Sequence, residues 1–364
     1  MKKDLHQILS LVERGAKAVS LVLEEGKTMD KALEFFFSSR FSSPHDLTSS
    51  YVAQICKQRK DYPSLERRST HWIPSHGIKL AGYYYAVSRP KGIVLYVHGL
   101  RGQADDFYAI GQDYFVRHGY DVFAIDLSNS GRSTGQGIDS LSVGPKDVYN
   151  ATIYLQDKIN HHRLPVYLFG HSWGGYSVVG STYFGAEVAG VASISGFSSP
   201  INEMIGLPSE KTGLPLGVGR EELEEACRLR SDENYDLSAV NAIKMNPTLP
   251  YFISIGDKDI TVPVEKSSIY KEAKALRLRN CELHLEVNKG HMDILLSEES
   301  GRKRQEYIDN SKAFAKVHGS NFSKLNETER NEFFSNVDIE QSSHINERLF
   351  NEVLSFFERC EIRC

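Results

Sequence analysis

From about residue 70 onward, short apolar runs alternate with stretches whose apolar residues recur at helical spacing. The strand-like segments are 92–97, 120–126, 164–169, 188–194, 250–255 and 281–287, most of them short and apolar, and between them 106–118 and 145–159 carry the helical pattern. Strands that are apolar along their whole length are covered on both faces, which is the mark of a mainly parallel sheet sandwiched by helices. Residues 71–74 and 78–86 flank Ser75-His76-Gly77 and predict an antiparallel hairpin ahead of that sheet. The pattern therefore predicts an α/β fold: a mostly parallel central sheet with antiparallel first strands and helices on both faces.

Two parts of the chain stand outside this alternation. At the N-terminus, Leu5, Ile8, Leu9, Val12, Ala16, Val19 and Leu23 recur at helical spacing and are followed by Phe35-Phe36-Phe37. They predict an N-terminal helical extension over 1–68, ahead of a main domain over 69–364. Its apolar faces are expected to pack on that domain; the alternatives are a homodimer or a membrane-surface contact. Residues 42–50 have the composition of a linker or exposed turn. The second departure lies after the fourth apolar run. A segment at about 198–247 adds no strand and is best placed as an inserted cap over the strand ends. Its first half holds Ile201, Met204, Ile205, Leu207, Leu214, Leu216 and Val218, while an acidic helix around 221–225 is expected to face water. In the tail, 302–317 and 345–358 read as two helices, of which one suffices to cover the sheet.

Composition narrows the function classes. With 40% apolar residues, 25% charged residues and a formal net charge of −4, the chain has no basic field to attract nucleic acid. No run approaches the ~20 apolar residues of a spanning helix, so no integral membrane span is expected. Glu13, Arg14 and Lys17 interrupt any apolar core of a cleaved signal. Five cysteines, without paired metal-type spacing, fit reduced thiols and a cytoplasmic location, and Cys360 and Cys364 are expected to fray with the chain end. There is no Gly-x-x-x-x-Gly-Lys-Ser/Thr loop and no His-Glu-x-x-His, and His161-His162 read as solvated residues at a helix end. Neither a cofactor nor a metal is expected.

In a parallel α/β sheet, ligands gather where loops leave the C-terminal ends of the strands. One such loop is Gly170-His171-Ser172-Trp173-Gly174-Gly175, which follows an apolar run and enters a helical stretch. Strand, sharp turn and helix turn the bare Gly-x-Ser-x-Gly pattern into a nucleophile elbow, with Gly170 and Gly174 keeping side chains out of a tight crossing. Ser172 is thus the candidate nucleophile, and a serine hydroxyl needs a base to take its proton. Among the 13 histidines, His291 follows the last apolar run and a glycine, on a loop reaching the same sheet edge. His171 is set aside as a base because it adjoins the serine on a turn that parts neighbouring side chains. A carboxylate must orient the imidazole, and Asp257 and Asp259 compete for that place on the loop after 250–255. Asp126 and Asp147 read as structural.

These motifs occur in a fixed order: Val97-His98-Gly99, Gly119-Tyr120 leading to Asp126, Gly131-Arg-Ser-Thr-Gly135, the elbow, Gly256-Asp-Lys-Asp259 with Pro263, and Gly290-His291. In that order the chain resembles the α/β-hydrolases, and among them the serine hydrolases that include monoacylglycerol lipases and related carboxylesterases. The resemblance favours Asp259 as the acid and gives His98 a structural role. It implies an oxyanion hole formed by the backbone N–H groups of Leu100 and Trp173. It further implies hydrolysis of a small-molecule carboxylic ester through an acyl-enzyme, and the apolar cap points to a medium-chain acyl or monoacylglycerol-like ester. Alternatives within the fold are cleavage of an amide or thioester, or a non-catalytic binding protein. A serine at the elbow argues against the dehalogenases and most epoxide hydrolases, which carry aspartate there.

Overall fold

A computed structural model describes residues 33–34, 37–38, 40–212, 220–319, 322 and 325–361. Eight strands form one sheet: β1 (Ser69–Ser75), β2 (Ile78–Tyr85), β3 (Ile93–Val97), β4 (Asp121–Ile125), β5 (Val166–His171), β6 (Gly190–Ile194), β7 (Tyr251–Gly256) and β8 (Cys281–Glu286). Their spatial order is β1-β2-β4-β3-β5-β6-β7-β8, with the pairs β1/β2 and β2/β4 antiparallel and every other pair parallel. Each strand coincides with an expected apolar run or hairpin arm. The hairpin turns on His76 and Gly77, both at positive φ, which the missing Cβ of glycine makes cheap at the second position.

Alternation along the central strands feeds two cores. Val94, Tyr96, Val122, Ala124, Tyr167 and Phe169 point to one face; Ile93, Leu95, Phe123, Ile125, Val166 and Leu168 point to the other. Among the described residues, the helices of about two turns or more are α1 (Ala109–Arg117), α2 (Val143–Lys158), α3 (Trp173–Ser181), α4 (Pro200–Thr212), α5 (Arg220–Arg230), α6 (Ala239–Met245), α7 (Ile269–Ala275), α8 (Glu298–Val317), α9 (Glu327–Phe334) and α10 (Glu347–Glu361). Phe115 of α1 and Phe350 and Phe357 of α10 cover the first face. Val148 and Leu155 of α2 and Val178 and Val179 of α3 cover the second. β5 is paired with β3 on one side and β6 on the other, so the loop leaving it is anchored from both sides.

The structure departs from the sequence expectations in the tail and near the N-terminus. Among its described residues the tail holds three helices of two turns or more where two were expected. The extra one, α9, is a short polar helix started by a reciprocal capping box between Asn326 and Glu329, and it packs Phe333 against Phe314 and Phe322. Cys360 is buried on α10 rather than frayed. The segment read as a linker is not exposed at its start: Ser42 is buried, its hydroxyl donating to the Gly102 carbonyl at 2.8 Å and accepting from the Gly131 amide at 3.0 Å. The expected helical pattern from Leu5 to Leu23, with Phe35 and Phe36, lies outside the described residues, whereas Leu33, Phe37 and Phe41 are buried in the second core. Among the described residues of 198–247 there are helices α4 to α6 and no strand; Leu214, Leu216 and Val218 lie outside them. No helix among the described residues is long and apolar enough to cross a membrane.

Candidate active site

Strand β5 ends in a turn on which Ser172 adopts φ 58° and ψ −120°, a conformation that L-residues hold only when their surroundings impose it. The constraint is visible on both sides. A Cβ at Gly170 would lie 2.3 Å from the Gly174 carbonyl oxygen, and one at Gly174 would lie 2.4 Å from that of Val97. The Ser172 amide donates to the Ile194 carbonyl at 2.8 Å, which ties the turn to β6. Trp173 then opens α3, so the free amides of that helix start beside the serine hydroxyl.

Two further loops converge there. The Ser172 hydroxyl donates to His291 Nε2 at 2.8 Å, and His291 Nδ1–H donates to Asp259 Oδ2 at 2.8 Å. The other carboxylate oxygen, Oδ1, accepts from the amides of Thr261 and Val262 at 2.9 and 2.8 Å, so the acid is held by its own loop. Ser172, His291 and Asp259 are only 8, 6 and 5% exposed, a setting in which ion pairing and hydrogen bonding are little screened by water. Asp257 is not part of this chain of contacts; its amide donates to the Glu286 carbonyl and its carboxylate pairs with Lys258 at 3.5 Å. The structure thus brings Asp259, and not its competitor, to the imidazole.

The loop after β3 closes the other side. His98 is buried, which pushes its pKa down against the opposing pull of Asp126, and the neutral ring donates from Nδ1 to the Gly99 carbonyl at 2.7 Å and accepts the Leu127 amide at Nε2, 3.0 Å away. The loop approaches so closely that a Cβ on Gly99 would lie 3.1 Å from that of Ser172. The Trp173 side chain is fully buried, donating from Nε1 to the Leu141 carbonyl at 2.8 Å and packing edge-on against Phe41. Asp126 accepts from Ala104 N, Arg132 N and the Tyr83 hydroxyl, and Asp147 accepts from Ser75, His76 and Ser128 N, so both knit loops together behind the site. His161 and His162 are exposed, and His284 stacks on Phe252 within the sheet edge. No cluster of His, Cys, Asp or Glu that could hold a metal occurs among the described residues.

Three features had no sequence signal. His171 reaches His291: its Nε2–H donates to the His291 carbonyl at 2.7 Å, and its Nδ1 accepts from the Tyr108 hydroxyl at 2.8 Å. Tyr108 itself lies far away in sequence, and only the fold brings it there. The third feature is the N-terminal strap. Arg40 donates to the carbonyls of Gly131 and Ser133 at 2.6 and 2.7 Å, and the Phe41 amide to that of Asn129 at 2.9 Å, lacing residues 40–42 onto the loop after β4.

Comparison with known proteins bears on the family and the fold. Residues 88–204 match the family described as serine aminopeptidase, S33, which covers less than half of the chain. Among solved structures, the chain is similar to an esterase of Pyrococcus furiosus, Pf2001, at 16% identity, covering 67% of this chain and 90% of that one with a TM-score of 0.50. It is also similar to an alpha-beta hydrolase from Vibrio vulnificus at 17% identity, covering 67% and 80% with a TM-score of 0.49. A third, Est1E from Butyrivibrio proteoclasticus, solved with ferulic acid bound, has 20% identity and covers 61% and 90% with a TM-score of 0.44. No curated protein matches the chain. The sheet order, its antiparallel start and the first of these likenesses give the chain the α/β-hydrolase fold.

Proposed function

We propose that this hydrolase of the α/β-hydrolase superfamily cleaves small carboxylic esters by way of an acyl-enzyme on Ser172. The observation that carries the reading is one imidazole hydrogen-bonded at 2.8 Å both to a strained serine hydroxyl and to a buried carboxylate. In the first step His291 Nε2 takes the hydroxyl proton as Ser172 Oγ bonds to the ester carbonyl carbon, and the carbonyl π pair moves onto oxygen. Asp259 holds the ring in the tautomer that leaves Nε2 free to accept, and stabilises the imidazolium that forms. The backbone N–H groups of Leu100 and Trp173, which donate to no acceptor among the described residues, would meet the oxyanion. Collapse expels the alcohol, which receives its proton from His291. A water then repeats the sequence on the acyl-enzyme and releases the acid.

The segment 198–247 serves in this reading as a cap that shapes the acyl site, with Ile201 and Ile205 buried beside Tyr176 and Phe197 in the second core. Residues 1–68 serve in it as an N-terminal extension, of which residues 40–42 strap the loop after β4. An apolar lining favours an acyl chain over a charged peptide, which ranks esters above the aminoacyl amides that the matched family's description suggests. The test is a side-by-side assay of p-nitrophenyl esters of graded chain length and aminoacyl p-nitroanilides. The ester reading expects a burst of p-nitrophenol followed by steady turnover on esters, abolished in Ser172→Ala. Faster turnover of an aminoacyl anilide than of any ester would overturn it in favour of an aminopeptidase.

A further inference from the structure

We propose that Tyr108 and His171 form a positioning bridge that sets the oxyanion loop, the serine turn and the histidine loop in register with one another. The inference rests on the catalytic reading of Ser172, His291 and Asp259, and adds two residues that touch none of the reacting atoms. Three groups are linked in series, and the first of them presses on the oxyanion loop. The Tyr108 phenol oxygen sits against Gly99 of the oxyanion loop, where a Cβ would lie 2.4 Å from it. The phenol O–H donates to His171 Nδ1 at 2.8 Å, and His171 Nε2–H donates to the carbonyl of His291 at 2.7 Å. Each donor finds an acceptor, and the polarity runs in one direction from the phenol to the catalytic histidine.

The chemistry of the ring fixes that direction. A carbonyl can only accept, so the proton of neutral His171 must sit on Nε2, leaving Nδ1 as the acceptor for the phenol. Burial holds His171 well below the usual imidazole range, and the neighbouring His291, with ring centroids 4.8 Å apart, acts the same way. The ring is therefore neutral in a single tautomer, and that is what lets it sit beside the imidazolium of the catalytic cycle without adding a second charge. Tyr108 and His171 are both buried, so neither hydrogen bond competes with water. The phenol is also wedged: a Cβ on Gly99 would lie 2.4 Å from its oxygen and one on Gly102 would lie 2.5 Å from its ring. A group in that place fixes how far the Gly99-Leu100 peptide stands from the serine and how far the His291 backbone stands from both.

Tyr108→Phe keeps the ring and removes the hydrogen bond to His171. It is expected to lower kcat by about 10- to 100-fold, since misplacement of a catalytic group by a fraction of an ångström to 1 Å costs that much. KM should stay within about twofold, because the bridge touches no part of the substrate. Rates are read per active site titrated with a fluorophosphonate probe, which separates positioning from loss of folded protein. His171→Gln, which can still donate to the His291 carbonyl, should retain more activity than His171→Ala, and Tyr108→Phe should add little to His171→Ala because the path is already broken. Histidine-labelled nitrogen NMR gives a readout independent of turnover: His171 as the Nε2–H tautomer in the wild type, and a tautomer mixture in Tyr108→Phe. An unchanged kcat per titrated site in Tyr108→Phe, or an Nδ1–H tautomer of His171 in the wild type, would overturn the bridge. A wild type that takes no probe and turns over no ester would instead overturn the catalytic reading, while the tautomer spectrum judges the bridge by itself.

Discussion

At the residue scale, the account stands on Ser172, His291 and Asp259 acting as a unit. Ser172→Ala, His291→Ala and the double variant should therefore share about the same residual ester hydrolysis, each down by roughly 10⁴- to 10⁶-fold, because each removes the same activated nucleophile. Losses that multiplied would show that the two residues act separately. Asp259→Asn should cost about 10⁴-fold, since the amide favours the wrong imidazole tautomer, whereas Asp257→Asn should change kcat/KM by less than about threefold. Steady-state kinetics of the purified variants decides both. Ser172 and His291 were legible because each is a chemically distinctive residue on a glycine-marked loop after a strand, Ser172 between Gly170 and Gly174 and His291 directly after Gly290. The choice between the two aspartates was not legible from spacing. It depends on which carboxylate the turn after β7 aims inward, and the paired amides of Thr261 and Val262 hold Asp259 in that aim. Tyr108 was invisible for a different reason. Its value lies in a contact across 63 positions with a residue that looked excluded by adjacency to the serine.

At the element scale, the elbow works because rigid pieces meet at it, and those pieces are knotted by buried carboxylates. Asp126 accepts two backbone amides and one phenol, so Asp126→Ala strands three donors and should lower the unfolding free energy by about 2–5 kcal/mol, read from urea denaturation at pH 7. A loss below about 1 kcal/mol would mean that water replaces the carboxylate there. The cap carries a second expectation. Each buried methylene is worth ~0.8 kcal/mol, so about four additional methylenes could raise kcat/KM by roughly two powers of ten from acetyl to medium-chain esters. Replacing 199–246 by a short Gly-Ser loop should flatten that preference and leave acetyl ester hydrolysis comparatively intact; an unchanged preference would remove the cap from the acyl site. The strands were legible because uninterrupted apolar runs have few other uses, and the added helix α9 was not, since its eight residues carry too few apolar positions to show a period. The strap at 40–42 escaped notice because serine-rich sequence looks like linker whether its hydroxyls meet water or loop carbonyls.

At the scale of the whole molecule, the fold followed from periodicity while the stability couplings did not. His76, raised above the ordinary imidazole range chiefly by its hydrogen bond to Asp147, joins the β1/β2 turn to α2. A folded-state pKa above the unfolded value means that the native protein binds the proton more tightly. The stabilisation is then fully present below about pH 6.5 and is lost as pH rises through the folded pKa. The Tm advantage of the wild type over His76→Gln should accordingly shrink between pH 6 and pH 8.5, and an advantage that grew would reverse the assigned sign. Such couplings join residues that periodicity treats as separate. The activity itself is a property of the assembled sheet edge, where loops from β3, β5, β7 and β8 meet, and one measurement addresses that convergence directly. The folded chain is treated with a fluorophosphonate probe, digested and mapped by mass spectrometry. The account predicts a single labelled residue, Ser172, with labelling slowed by several orders of magnitude in His291→Ala; a label elsewhere, or an unlabelled wild type, would contradict it.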